Sequence, residues 1–106
     1  SFAKSDLKPG DGPSKEEREA GNYDVLFVAK GVDGGLYMNS VKGDRDPGYG
    51  STSKMLAEAA ICLLKNPGLA SGGVWTPAAA MGEALIARLE EQAGLTFTML
   101  SPQAQA

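Results

Sequence analysis

The stretch "NYDVLFVAKGVDGGLYMNSVKG" constrains this chain more than any other, because two β-rich runs, Tyr23 to Lys30 and Leu36 to Lys42, follow one another with no helical segment between them. The connection contains Asp33-Gly34-Gly35, whose glycines can take positive φ, so the pair reads as a β-hairpin. Two strands joined this way cannot be parallel neighbours, which argues against the strict βαβ alternation of a doubly wound sheet. In the first run Tyr23, Val25, Phe27 and Ala29 share one face while Leu26 and Val28 lie on the other. Both faces carry apolar surface, and both call for cover.

Two helical segments follow. After "DRDPGYG", Ser51 or Thr52 is placed to cap a helix running to about Lys65, where Pro67 disfavours helical geometry at Asn66. Met55, Leu56, Ala59, Ala60 and Leu63 recur at helical spacing and form its expected buried stripe, with Glu58 and Lys65 nearer water. The second helix is sharply punctuated: Thr76 as cap, Pro77 at the first helical position and Gly94 just past the end. Met81, Leu85, Ile86 and Leu89 are its expected core face. "LTFTML" then alternates Leu95, Phe97 and Met99 with Thr96 and Thr98, the period of a half-buried strand. The expectation is an α+β fold of order β-β-α-α-β, with a small mixed or antiparallel three-stranded sheet packed with two main helices.

Residues 1–22, rich in Pro, Gly, Ser and charge, read as a linker or irregular arm in which Ser14 caps a single helical turn. Residues 23–100 form the single α+β domain, and 101–106 a frayed tail. A chain of 106 residues that is 42% hydrophobic supports one core and not two.

Composition excludes several functions. The net charge is −3 and the basic residues sit singly among acids, which leaves no footprint for nucleic acid. No stretch approaches the roughly 18 consecutive apolar residues of a membrane span, and the amino end lacks a signal-peptide pattern, so a cytoplasmic protein is expected. With one cysteine and no histidine, no disulfide framework, Cys/His metal site or histidine-dependent triad can be assembled within the chain. Cys62, inside "AEAAICLL", reads as a small buried hydrophobe.

"GYGSTS", Gly48 to Ser53, nearly fits the dinucleotide fingerprint G-x-G-x-x-G, but Ser53 replaces the third glycine and the preceding strand belongs to a hairpin. "GSTSK" also reverses the Gly-Lys-Ser/Thr order of a P-loop. The sequence leaves two readings of this turn. In one, Gly50, Ser51 and Thr52 offer N–H groups and hydroxyls to a carboxylate or phosphate, with Lys54 adding charge. In the other, Ser51 or Thr52 merely caps the helix, Asp46 ties down the turn and Tyr49 packs on the sheet. Asp44 and Asp46 are equally ordinary turn formers, and Trp75 reads as a residue stapling the chain to the core.

Taken in order, "KPGDGPSKEEREAGNYDVLFVAKG", "GDRDPGYGSTSKMLAEAAICLL" and "GGVWTPAAAMGEALIARLEEQAGLTF" resemble the carboxy-terminal part of saccharopine dehydrogenase-like oxidoreductases, including their trans-acting enoyl reductase relatives. The most specific pieces are DPGY followed by a helix with K-M-L-x-E-A-A, and then T-P-A-A-A-x-G-E-x-L. The resemblance implies a parent oxidoreductase whose amino-terminal Rossmann domain binds NAD(P). The present region would supply the substrate side or a subunit contact, and would be inactive and without cofactor when alone. On the same basis Asp46, Tyr49, Gly50, Ser51, Thr52, Lys54, Glu58 and Thr76 are the substrate-binding candidates, with Pro47, Gly48 and Pro77 beside them. No catalytic step is assigned to any of them. The alternative, from the residues themselves, is an autonomous small-anion or small-ligand module built on Gly50 to Lys54. The expected partners are the Rossmann domain of the same parent and a second subunit. Such a homodimer would use the sheet face of Leu26 and Val28, joined by Tyr37 or Val41 depending on register.

Overall fold

The computed structural model describes residues 8–103. Part of the expected arm and the end of the expected tail therefore lie outside the described residues. The elements are α1 (Lys15–Ala20), β1 (Tyr23–Lys30), β2 (Leu36–Gly43), α2 (Gly50–Lys65), α3 (Pro77–Gln92) and β3 (Leu95–Gln103). The three strands form one antiparallel sheet in the order β1-β2-β3. This is the expected α+β architecture with its β-β-α-α-β succession, preceded by the short α1.

The hairpin turn is latched by one side chain. Asp33 accepts from the Gly35 amide at 2.9 Å and from the Tyr37 hydroxyl at 2.6 Å. The two donors hold the Asp33 carboxyl below its ordinary range, the Tyr37 hydroxyl contributing most, and the same bond raises the Tyr37 phenol.

Burial is concentrated at one end of the sheet. Cys62, Met81, Leu85, Leu89, Ala93 and Leu95 form the core, with Val41, Met55, Ala59 and Phe97 packed at its margin. The α2 side of this core follows Ser51, Met55, Ala59 and Cys62, a stripe rotated from the expected one. Leu56 is 73% exposed at the rim of the space between α2 and α3, and Leu63 is exposed beside the α2–α3 loop. On α3, Met81, Leu85 and Leu89 are buried as expected, while Ile86 is exposed. Met99, expected inside, is 87% exposed, because the helices stop short of it along β3.

Two further expectations change. Trp75 does not staple the core: it is half exposed, and its indole N–H donates to the Ser71 carbonyl at 2.8 Å, closing the α2–α3 loop on itself. The chain beyond Leu100 does not leave the sheet at once, since Leu36 pairs with Gln103 across a register shift. Gly94, at φ +68° after α3, supplies the left-handed turn that aims β3 back along the sheet, and the Asp44 carboxylate occupies the place where a Cβ would stand.

Candidate functional site

The turn between β2 and α2 is organised by Asp46. Its amide donates to the Arg18 carbonyl of α1 at 3.0 Å, and its own carbonyl accepts from the Ser51 amide at 2.7 Å. Its carboxylate accepts from the amides of Tyr49 at 2.7 Å and Gly50 at 3.2 Å. The Tyr49 and then the Gly50 amide hold the Asp46 carboxyl below its ordinary value, with the Gly48 amide and the nearby Arg18 charge contributing less. Asp46 thus performs the capping expected of Ser51 or Thr52. The carboxylate presents a full negative charge to the positive end of α2, which a hydroxyl cannot do.

The other candidates are distributed by this arrangement rather than gathered by it. Ser51 is fully buried, and its hydroxyl bonds the Tyr23 hydroxyl at 2.7 Å. The Tyr23 ring reaches that position by lying across Gly43, its partner in the β1–β2 register. Thr52 donates its hydroxyl to the Pro47 carbonyl at 2.6 Å, and Ser53 donates to the Gly50 carbonyl at 3.1 Å. Lys54 stands 3.9 Å from the Asp44 carboxylate. With the Gly50 and Ser51 amides already bonded within the chain, the free donors of the anion reading are not present at those positions.

Tyr49 does not pack on the sheet. Its ring lies over Gly12 of the arm, and together with Arg18, Gly50 and Ser53 it lines a shallow cleft of about 380 Å³. The Arg18 guanidinium, which also lines this cleft, donates to the Pro13 carbonyl at 2.8 Å.

Glu58 is not on the wet side. Its carboxylate meets Arg88 of α3 at 2.5 Å, with side-chain exposures of only 17% and 20%. The Arg88 Nε–H is not aimed at the oxygen, so the contact is an ion pair rather than a hydrogen bond. It ties α2 to α3 next to a feature the sequence reading missed.

That feature is an apolar groove of about 640 Å³ between α2 and α3, floored by Phe97 of β3. Met55, Leu56 and Ala59 form one wall, and Leu85, Ile86 and Leu89 the other. Thr52, Thr76 and Pro77 also line it, and the surface it exposes is wholly apolar. Beside the groove α3 is broken at Gly82, where φ is 49° and ψ −130°, a conformation open to glycine alone. Thr76 is the backbone cap of α3 but makes no side-chain cap bond, which leaves its hydroxyl unspent on capping. The glycine inside "AAAMGEAL" was the available signal for this break. Among the described residues no group of His, Cys, Asp and Glu is placed to hold a metal ion, and no helix is long and apolar enough to cross a membrane.

Known proteins match most of this chain. The chain is 43% identical over 84 residues to a Mycobacterium tuberculosis protein provisionally named a trans-acting enoyl reductase, a match covering 77% of this chain and 20% of that protein. A Mycobacterium ulcerans trans-acting enoyl reductase is 40% identical over 86 residues, 79% of this chain and 20% of the relative. A second Mycobacterium tuberculosis protein of that name is 42% identical over 84 residues. The chain spans about a fifth of the length of these curated relatives. No family model matches it, and no solved structure matches it.

Proposed function

We propose that this chain is the carboxy-terminal, substrate-side part of a cytoplasmic enoyl reductase-like oxidoreductase, and that the α2–α3 groove forms the wall against which the acyl chain of the substrate lies. The observation that carries this reading is the groove itself: an apolar channel between α2 and α3, in a chain 40–43% identical, over a fifth of their length, to proteins named trans-acting enoyl reductases. Burying an acyl chain against Met55, Ala59, Leu85 and Phe97 contributes about 25 cal/mol per Å² of apolar surface removed from water. In this proposal NAD(P) binds a Rossmann domain elsewhere in the parent, which makes the hydride transfer the work of that domain. The wider kinship with saccharopine dehydrogenase-like oxidoreductases belongs to the same proposal and rests on the DPGY and T-P-A-A-A-x-G-E-x-L motifs.

The test is a pair of titrations on the 106-residue chain. A fluorescent polyunsaturated fatty acid should bind saturably and lose most of its affinity in Ala59→Trp, which fills the groove. Calorimetry with NADH and NADPH should show no binding. Tight stoichiometric nucleotide binding, or acyl binding indifferent to Ala59→Trp in a folded variant, would overturn the reading.

A further inference from the structure

The sheet has two outer edges, and they are treated differently. Along β3 the Phe97 amide, which points away from β2, is capped by the Glu90 carboxylate at 3.1 Å. The β2–β3 register shifts between Leu36 and Met38, and Pro102 removes one donor near the strand's end. Side-chain caps, irregularities and prolines are the means by which edges are kept from pairing with other chains.

Along β1 none of these devices appears among the described residues. The segment YDVLFVAK has no proline or glycine, and its register with β2 runs without a shift from Tyr23↔Gly43 to Lys30↔Leu36. Gly31 donates to the Gly35 carbonyl at 2.8 Å in the continuation of that ladder. Because main-chain groups alternate sides along a strand, the odd residues of β1 face β2. Asp24, Leu26, Val28 and Lys30 then turn their N–H and C=O groups to the open edge. Leu26, Phe27 and Val28 are each more than half exposed.

We infer that β1 pairs antiparallel with β1 of a second copy of this chain, about a two-fold axis through Phe27, joining the two sheets edge to edge. The pattern of the strand selects both the partner and the register. Outward-turned residues must oppose outward-turned ones, so the axis passes through a single residue. With the axis at Phe27, Asp24 opposes Lys30 of the second copy at both ends of the pairing, and Leu26 opposes Val28. Shifting the axis to Leu26 or Val28 sets Asp24 against an apolar residue instead. In the chosen register Asp24, already 3.6 Å from Lys42, lies between two lysines. Exposed pairs of this kind contribute little affinity but fix register. The affinity comes from the completed ladder and from apolar side chains meeting on both faces. The interface is isologous, as two-fold pairing requires. This differs from the sheet-face dimer expected from sequence. The register also places Tyr37 and Val41 on the Phe27 face, with Met38 and Ser40 beside Leu26 and Val28. The inference does not rest on the enoyl reductase reading.

The experiment is sedimentation equilibrium on the 106-residue chain with two variants, Lys30→Glu and Asp24→Lys, folding being checked by circular dichroism. Wild type should dimerise. Each variant alone sets like charges opposite at both ends and should self-associate roughly tenfold more weakly. Mixed, the two should form a heterodimer near wild-type strength, because every end pair is again opposite in sign. As a second readout, Phe27→Cys should form a disulfide-linked dimer on mild oxidation, whereas Val25→Cys, opposite Ala29 of the copy, should not. A monomeric wild type, as expected if another part of a parent protein covers β1, would overturn the inference. So would variants that self-associate like wild type, or a mixture that forms no heterodimer.

Discussion

Where Gly43 and Leu95 pair, the sheet meets α2 and α3, Ala93, Cys62, Leu85 and Leu95 are withdrawn from water, and a fully buried Ser51 bonds Tyr23. Along the rest of the hairpin, Val25, Leu26, Phe27, Val28 and Tyr37 stand in solvent on both faces. One end is finished as a protein interior, and the other has the composition of an interior without its surroundings. Self-contained domains seldom leave so much contiguous apolar surface bare, and such surface marks sites of contact with other protein or with ligand.

The contrast is sharpened most by attacking the finished end. Arg88→Ala leaves the Glu58 carboxylate, 17% exposed, without its partner, and should cost about 3 kcal/mol, the low end for breaking a buried pair because some water reaches it. Urea denaturation measures this, and a loss below about 1 kcal/mol would show that the α2–α3 seam is wetter than described. Tyr23→Phe strands the Ser51 hydroxyl, which is 0% exposed, and should cost about 1–3 kcal/mol. Adding Ser51→Ala should recover much of that loss, since removing both partners leaves no buried polar group unsatisfied.

A smaller effect is expected from pH. The folded-state value of Asp46 lies below its ordinary 3.8. Its stabilisation of the α2 amino terminus is therefore fully present above that ordinary value and is lost as pH falls through the lowered one. Acid titration of the α2 amide resonances should show Tyr49 and Gly50 loosening in that window, and Asp46→Asn should remove the transition. The smallest effect belongs to the bare end: Leu26→Lys, measured at concentrations where the chain is monomeric, should change stability by no more than about 0.5 kcal/mol. A larger loss would mean that the hairpin carries folding energy within the single chain.

Much of the fold was legible because its signals are local. The glycines after Asp33 announce the hairpin, and Pro77 and Gly94 bracket α3, the first at its start and the second two residues past its end. The cap of α2 was not, because Ser51, Thr52 and Asp46 are all competent and only the approach of α1 through Arg18 puts Asp46 in position. Glu58 was misplaced for a similar reason: its partner Arg88 lies on another helix, and nothing near Glu58 in the chain signals it. Leu56, Leu63, Ile86 and Met99 have the spacing of core residues and are exposed, since periodicity reports which face seeks cover and not whether this chain supplies it. The groove escaped notice because it lies between two helices distant in the chain, and the Gly82 break beside it is a backbone feature that helical spacing does not report.

The claim that the hairpin end is an unfinished interior is tested most directly by amide hydrogen exchange followed residue by residue at two protein concentrations. In dilute solution the α3 amides of Leu85 and Leu89 should exchange slowly, while the outward-turned Leu26 and Val28 amides of β1 exchange rapidly. Raising the concentration should slow Leu26 and Val28 selectively and leave α3 unchanged. Uniform slow exchange across β1 in dilute solution, or rapid exchange at Leu26 and Val28 whatever the concentration, would contradict the account.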